Sequence, residues 1–350
     1  MSSCKTPIQT IIKEEKWKII VFGLDKLKLV MDLDDIEITN DEAFVKKVVG
    51  DELTGLTFKQ TEPFSLTIKI DYRNDEAVVE FTGKVLLSDY HNLIRLNNIK
   101  DCFENINALG ICKIKNYLTA QVVKCDITNN YLIINIRKLS EFLRSNLSSY
   151  RKYIARDLNN GNFIVEKNVT SKQCKKRLTI YDKFMEMNKA EHRKFLDEYY
   201  CGENPFTHNN NNNCRFELNL NSKQQIRSSL NTTDTKLLTI LLSAQKVNPI
   251  YDFLSEVIDK NASSDSQISK VKDYHIALTL KDCDYDIKKV EAKLKPMYSK
   301  GTKMRAVLIP YKKMLEEIQH GEQQGYTRDE VLNVVRTETQ ITPKLILDNM

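Results

Sequence analysis

Tyr181 and Lys183 stand two residues apart in the stretch KRLTIYDKFMEMN (residues 176–188). A phenol beside a cation is raw material for covalent phosphoryl transfer, provided something lowers its pKa from about 10 or removes its proton. The stretch begins as a strand alternation, with Leu178 and Ile180 on one face and Arg177, Thr179, Tyr181 and Lys183 on the other. Two further segments carry the same signature. In QVVKCDIT, Val123, Cys125 and Ile127 face one way and Lys124, Asp126 and Thr128 the other. In CRFELNLN, Phe216, Leu218 and Leu220 turn inward and leave Arg215, Glu217 and Asn219 together. If the three strands are neighbours, one exposed sheet face gathers Asp126, Glu217, Tyr181, Lys183, Arg215 and Lys124. An antiparallel sheet with one wet face presents charges in the same way, so periodicity alone leaves a site and a solvated surface both open.

Glu186 lies five residues beyond Tyr181, where a continuous strand puts it on the opposite face. It joins the others only if the chain turns or becomes helical after Lys183, which FMEMNKAEHRKF favours.

The elements that must position these residues follow from patterning. WKIIVFGLDKLKLVMDLDDI reads as strand, tight turn at Gly23, strand; FSLTIKIDYRNDEAVVEFTGKVLL is a β-hairpin around RNDE. SDYHNLIRLNNIKDCFENINALGI reads as helix, with Leu93, Leu96, Ile99 and Phe103 at helical spacing. Strand YLTAQVVKCDITNN, helix RKLSEFLRSNL and extended runs FIVEKNV and KRLTIY follow, then a helical MNKAEHRKFLDEYY and a polar loop, NPFTHNNNNN. From residue 234 the pattern is almost entirely helical. The expectation is an α+β chain: an antiparallel β-sheet domain with flanking helices over 1–232, then a helical C-terminal domain over 233–350.

Composition bounds the function. At 350 residues, 41% hydrophobic and 29% charged, the chain has room for two domains and a sizeable core. A formal charge of +6 permits a nucleic-acid partner without demanding one. No apolar run reaches about 18 residues and the first residues lack a signal-peptide core, so neither a membrane span nor secretion is expected. Eight scattered cysteines with no Cys-x-x-Cys pair read as free thiols in a reducing cytoplasm.

Three pieces in order, K-C-D-I-T (124–128), R-L-T-I-Y-D-K-x-x-E (177–186) and R-F-E-L-N-L (215–220), resemble the rolling-circle replication initiators of filamentous and related single-stranded DNA phages. They are similar also to the initiators of small rolling-circle plasmids. The resemblance spans roughly residues 20 to 230. The family pattern R-x-D-x-x-x-D is broken here, because Asn130 stands four residues after Asp126. No His-hydrophobe-His pair occurs, which sets the chain apart from initiators that hold their ion with two histidines.

The resemblance implies a nicking domain for residues 1–232, in which a tyrosine attacks the scissile phosphate of a duplex origin. It leaves a 5′-phosphotyrosyl protein and a 3′-hydroxyl for a host polymerase, and a second transfer rejoins the strand. Carried over, Tyr181 is the nucleophile, Lys183 the neighbouring cation, and Asp126 and Glu217 are ligands to Mg²⁺ or Mn²⁺. Glu186 is a third ligand or the base, and Arg215, Lys124 and Arg177 lie along DNA. The implied partners are origin DNA, duplex and single-stranded, and the host replication polymerase and helicase in a bacterial cytoplasm. Tyr199 and Tyr200 are an alternative nucleophile pair on what reads as a solvated helix end. A metal-dependent nucleotidyltransferase or primase-like palm and a non-catalytic DNA-binding module fit the same residues.

Overall fold

The computed structural model describes residues 22–132, 136–148, 153–158, 162–171, 175–206, 213–260, 262, 271–298, 303–319 and 326–336. Twelve strands are described: β1 (Gly23–Asp32), β2 (Ile36–Ile38), β3 (Val45–Val49), β4 (Glu52–Gln60), β5 (Leu66–Asp71), β6 (Glu76–Thr82), β7 (Cys112–Ile114), β8 (Gln121–Leu132), β9 (Tyr153–Asp157), β10 (Phe163–Lys167), β11 (Arg177–Asp182) and β12 (Asn213–Leu220). Ten of them form one sheet in the order β3-β4-β5-β6-β1-β8-β12-β11-β10-β9, with every neighbouring pair antiparallel. Strands β2 and β7 pair separately.

The β5–β6 hairpin shows how local chemistry sets the register. Leu66, Ile68 and Ile70 face Phe81, Val79 and Ala77 across the ladder, all buried. At the turn, Asp71 Oδ1 accepts from Arg73 N at 3.1 Å and Asn74 N at 3.3 Å, and Asp75 takes the left-handed φ of 55°. Gly23 is not a turn residue but opens β1; residues 17–21 of that expected strand lie outside the described residues. It is needed for a close approach: Leu24 and Ile94 exchange two backbone hydrogen bonds of 2.9 Å, and a Cβ on Gly23 would lie 2.5 Å from Leu93 Cβ.

The helix expected over residues 88–111 is divided. A 3₁₀ segment covers Gly83–Asn92, the chain pairs with β1 at Ile94, and only then does α1 (Ile99–Asn107) begin. Asn98 stabilises the break, accepting from Arg95 N at 2.7 Å and donating to Leu93 O at 2.8 Å.

Helices α2 (Ile136–Ser145), α3 (Lys183–Met187), α4 (Arg193–Tyr200), α5 (Lys223–Leu230), α6 (Leu237–Ser243) and α7 (Pro249–Val257) follow, then α8 (Val271–Asp282), α9 (Ile287–Leu294), α10 (Met304–Val307), α11 (Ile309–Gln319) and α12 (Arg328–Arg336). Helices α5, α6 and α12 pack against β8, and α7 against β12. Their Ile226, Leu237, Phe253 and Val331 enter the same core as Cys125, Ile127, Phe216 and Leu218 of the sheet. Each fully buried Leu or Phe there contributes about 1.5–3 kcal/mol. Helices α8 to α11 form a small cluster of their own around Leu280, Val290 and Leu308. No helix among the described residues is long and apolar enough to cross a membrane.

Helices α5, α6, α7 and α12 thus cover one face of β8 and β12, and the polar side chains of these strands lie on the other. Gly23→Ala tests the tightness of its outer anchor: overpacking against Leu93 should lower unfolding stability by about 1–3 kcal/mol in denaturant melts, with the slope unchanged.

Candidate active site

Strands β8, β12 and β11, which carry the three motifs, lie side by side. Their register arranges the polar face in rows. Asn130, Arg215 and Tyr181 form one row; Thr128, Glu217 and Thr179 the next; Asp126, Asn219 and Arg177 the third. Lys26 of β1 extends the third row, and beyond it Lys28 lies opposite Lys124. The alternation read from the three segments is therefore the real facing of these residues.

The first row is not wet, which corrects the expectation of an exposed face. Tyr181 is 6% exposed, Lys183 3% and Arg215 fully buried. The cover is a separate apolar cluster of Tyr90, Met187, Phe195, Leu196 and Phe206, contributed by the 3₁₀ segment, α3, α4 and the chain beyond α4. Tyr90 meets the rings of Phe195 and Phe206 edge-on, with centroids 5.8 and 6.0 Å away. Tyr199 and Tyr200 pack against this cluster rather than ending a solvated helix, and Tyr200 Oη donates to Leu87 O at 3.3 Å. Of the asparagine run, residues 207–212 lie outside the described residues.

Arg215 sits at the centre. Its Nε donates to Asn130 Oδ1 at 2.9 Å, while Nη1 lies 3.3 Å from Tyr90 Oη and 3.4 Å from Asp25 Oδ1. Its Nη2 has no protein partner among the described residues. Burial works against the charge, but Tyr90, Asp25, Tyr181 and Glu217 together hold the guanidinium pKa above its ordinary value. Asn130 is the arginine's amide acceptor. An acid does approach the same guanidinium, but it comes from β1.

Sequence reasoning missed that acid, Asp25. The β1–β8 register slips between Leu24 and Lys26, so Asp25 is the extra residue of a bulge and its side chain is re-aimed into the cluster. The slip is visible in GLDKLKLVMD, where two polar residues rather than one separate Leu24 from Leu27. Gly83 leaves room for it, since a Cβ there would lie 2.9 Å from Asp25 Oδ1.

Tyr181 Oη donates to Glu217 Oε1 in a short hydrogen bond. Burial, followed by the Asp25 charge, raises Glu217 to about 7, and burial then Glu217 push Tyr181 well above a normal phenol. Arg215 is the cation that opposes this rise. The expectation that Lys183 makes the phenol acidic is therefore not met in this arrangement. Lys183 begins α3 instead of continuing β11; Asp182 caps the helix by accepting from Met185 N at 2.9 Å. Its Nζ stands 5.1 Å above the Tyr90 ring and 5.6 Å above that of Tyr181. Burial, then Arg215, lowers its pKa, against Glu186, Asp25 and Glu217.

Because the strand stops at Asp182, the first helical turn swings Glu186 back to Lys183, whose Nζ is 2.6 Å from Glu186 Oε2. Burial alone would raise Glu186, but bonds from His192 and Lys183 hold it far below the usual carboxylate range. Its oxygens are both engaged, so it offers neither a free base nor an open ligand. Glu186, Glu191 and His192 are the one group among the described residues with three ligand-type atoms within 4.8 Å of one another. His192 Nδ1 lies 2.8 Å from the Lys84 ammonium, which can only donate, so the proton is on Nε2, aimed at Glu186. A hydrogen-bonded chain bracketed by two lysines is a poor cation site.

Asp126 accepts from Asn219 Nδ2 within its row, and burial raises it to about 6, with the Asp25 charge adding to the rise. Lys124 and Arg177 are half-exposed in the outer rows. Arg177 Nε bonds the buried Glu166 at 2.8 Å, alongside Arg156 at 2.7 Å and Lys175 at 2.9 Å. The structure thus brings Tyr181, Lys183, Glu186, Arg215 and Glu217 into one cluster, with Asp126 a step away and Lys124 and Arg177 at its rim. A comparison with known proteins finds no family model, no curated relative and no solved structure that matches the chain.

The two raised carboxyls set a pH dependence. Their folded-state pKa values, about 6 and about 7, exceed ordinary carboxyl values, so the stability they contribute is fully present below about pH 4 and lost as pH rises through the folded values. Asp126→Asn with Glu217→Gln should flatten the decline of Tm between about pH 5 and 7.5 relative to wild type. A Tm profile over that window checks it, and an unchanged slope counts against these assignments.

Proposed function

We propose that the chain nicks one strand of DNA at a rolling-circle replication origin through a covalent tyrosine intermediate and later rejoins it. The observation that supports this reading above all is the meeting of the three motif strands, with Tyr181 bonded to Glu217 between two buried cations. In this reading Tyr181 Oη attacks the scissile phosphorus as its proton passes to Glu217 Oε1. The bond to the 3′ oxygen breaks, the phosphoryl group stays on Tyr181 through its 5′ side, and the leaving 3′ oxygen becomes a hydroxyl by taking a proton from water, which Glu217 restores by releasing the one it accepted. A carboxyl near 7 is suited to accept and return a proton at neutral pH.

Arg215 and Lys183 supply fixed positive charge where the phosphate gains negative charge. Asp126 and the second oxygen of Glu217 are hard oxygen donors of the kind that suit Mg²⁺ or Mn²⁺ rather than a softer ion, and both feel the Asp25 charge, but the three do not lie within 4.8 Å of one another, so an ion would have to draw them together. A divalent ion held there would offset the carboxylate repulsion and polarise the phosphate. Lys26, Lys28, Lys124 and Arg177 on the half-exposed rows are placed to follow a DNA backbone, giving salt-dependent binding. Tyr181 lies under the Tyr90–Phe206 cover, so DNA has to displace part of that cover to reach Oη. The same burial favours a second reading, in which the polar rows bind DNA without chemistry.

Covalent capture separates the two. With Mg²⁺ or Mn²⁺ and supercoiled origin DNA, the wild type should give open circles bearing covalently attached protein. Tyr181→Phe should give no adduct, and Glu217→Gln should slow nicking by about 10²–10⁴-fold. An adduct that persists in Tyr181→Phe assigns the nucleophile elsewhere, with Tyr200 next to test. DNA binding with no nicking by the wild type selects the second reading.

A further inference from the structure

Behind Lys183 runs a chain of polar side chains that the nicking chemistry does not itself use. Lys183 Nζ meets Glu186 Oε2 at 2.6 Å, Glu186 Oε1 meets His192 Nε2 at 2.5 Å, and His192 Nδ1 meets Lys84 Nζ at 2.8 Å. The four residues come from three separate stretches: Lys84 from the 3₁₀ segment, Lys183 and Glu186 from α3, and His192 from just before α4. Lys84 also lies 4.8 Å over the Phe195 ring and opens on a cavity of about 380 Å³ lined by Glu62, Pro63, Lys194 and Glu198. Solvent and the buried row of Tyr181 are therefore at opposite ends of the chain.

Direction in the chain is dictated by chemistry. An ammonium has no lone pair, so Lys84 makes His192 Nδ1 an acceptor and leaves the proton on Nε2. That N–H donates to Glu186 and occupies one oxygen. The other oxygen accepts from Lys183, whose Nζ lies over the Tyr181 and Tyr90 rings. Each bond joins at least one formally charged group in a mostly water-excluded setting, where such bonds are short and directional.

We propose that His192 is a positioning residue, keyed by Lys84, that holds Glu186 and through it fixes Lys183 over Tyr181. The inference rests on the reading of Tyr181 as the reacting residue for its consequence in catalysis, but the positioning itself can be read without activity. The charged groups that bear on Lys183 are Arg215, Glu186, Asp25 and Glu217, with the tyrosines Tyr90 and Tyr181 beneath it; those on His192 are Glu186, Glu191 and Lys84. Lys84 is in turn under the charges of Lys183, Glu186, Asp25 and Glu191. Loosening Glu186 removes the strongest counter-charge of Lys183 and leaves the repulsion from Arg215, so the ammonium is held less firmly.

Nitrogen-detected or proton–nitrogen spectra of lysine ammonium groups provide the test. In the full chain, a slowly exchanging Lys183 signal, identified by its loss in Lys183→Met, should be present at neutral pH. It should persist in His192→Gln, whose amide N–H replaces Nε2–H, and should vanish or titrate about one pH unit lower in His192→Ala. Lys84→Met should shift the His192 ring nitrogens toward a mixture of tautomers. If origin nicking is present, its alkaline limb should move down in pH in His192→Ala and return in His192→Gln. An ammonium signal and titration unchanged in His192→Ala overturns the proposal. Expected spectra without any nicking by wild type leave the positioning intact and refute the catalytic reading instead.

Discussion

A guanidinium removed entirely from water is the constraint around which the polar half of this molecule is organised. Burying such an ion costs several kcal/mol unless its N–H groups and its charge are both answered. Arg215 is answered by an amide from its neighbour strand, a carboxylate from a bulge in β1 and a phenol from the Gly83–Asn92 segment. Those three partners come from separate stretches of chain, so satisfying one arginine ties the central strands to the segment that covers them. The remaining N–H, on Nη2, is the one position where this shell lacks a protein acceptor among the described residues.

Around that charge, three carboxyl groups are driven in different directions by their surroundings. Burial, with Asp25 adding, raises Glu217 and Asp126, while His192 and Lys183 more than offset burial at Glu186. Groups of one chemical type thus become a carboxyl that titrates near neutrality, one that titrates about a unit lower and a permanent anion. Pairs of titratable groups pushed apart in this way are what acid–base chemistry at neutral pH requires.

The helices beyond residue 232 contribute on two levels. Helices α6, α7 and α12 complete the core against the apolar side of β8 and β12, so the strands that carry the site are held from behind by the C-terminal part of the chain. Helices α8 to α11 bury their apolar residues against one another instead. Among the described residues these four helices thus have an apolar cluster separate from the one that α6, α7 and α12 share with the sheet.

How much of this was legible follows from the range of each interaction. Strand alternation is local, and it assigned the correct face to Asp126, Thr128, Arg177, Thr179, Tyr181, Arg215 and Glu217, because side-chain direction in a strand depends only on parity. The helical composition after Lys183 likewise foretold the turn that returns Glu186, since capping by Asp182 and the first helical turn are near-neighbour effects. Asp25 left a readable trace, the doubled polar step between Leu24 and Leu27, but its destination depended on which strand lay beside β1. The burial of Tyr181 had no local signal at all. It arises because Tyr90, Phe195 and Phe206, distant in sequence, converge on the same row, and an exposed tyrosine and a covered one have identical alternation. Sequence alone determined which residues share a face; only the tertiary structure decided whether that face meets water, because solvent exclusion is a property of the second layer and not of the strand.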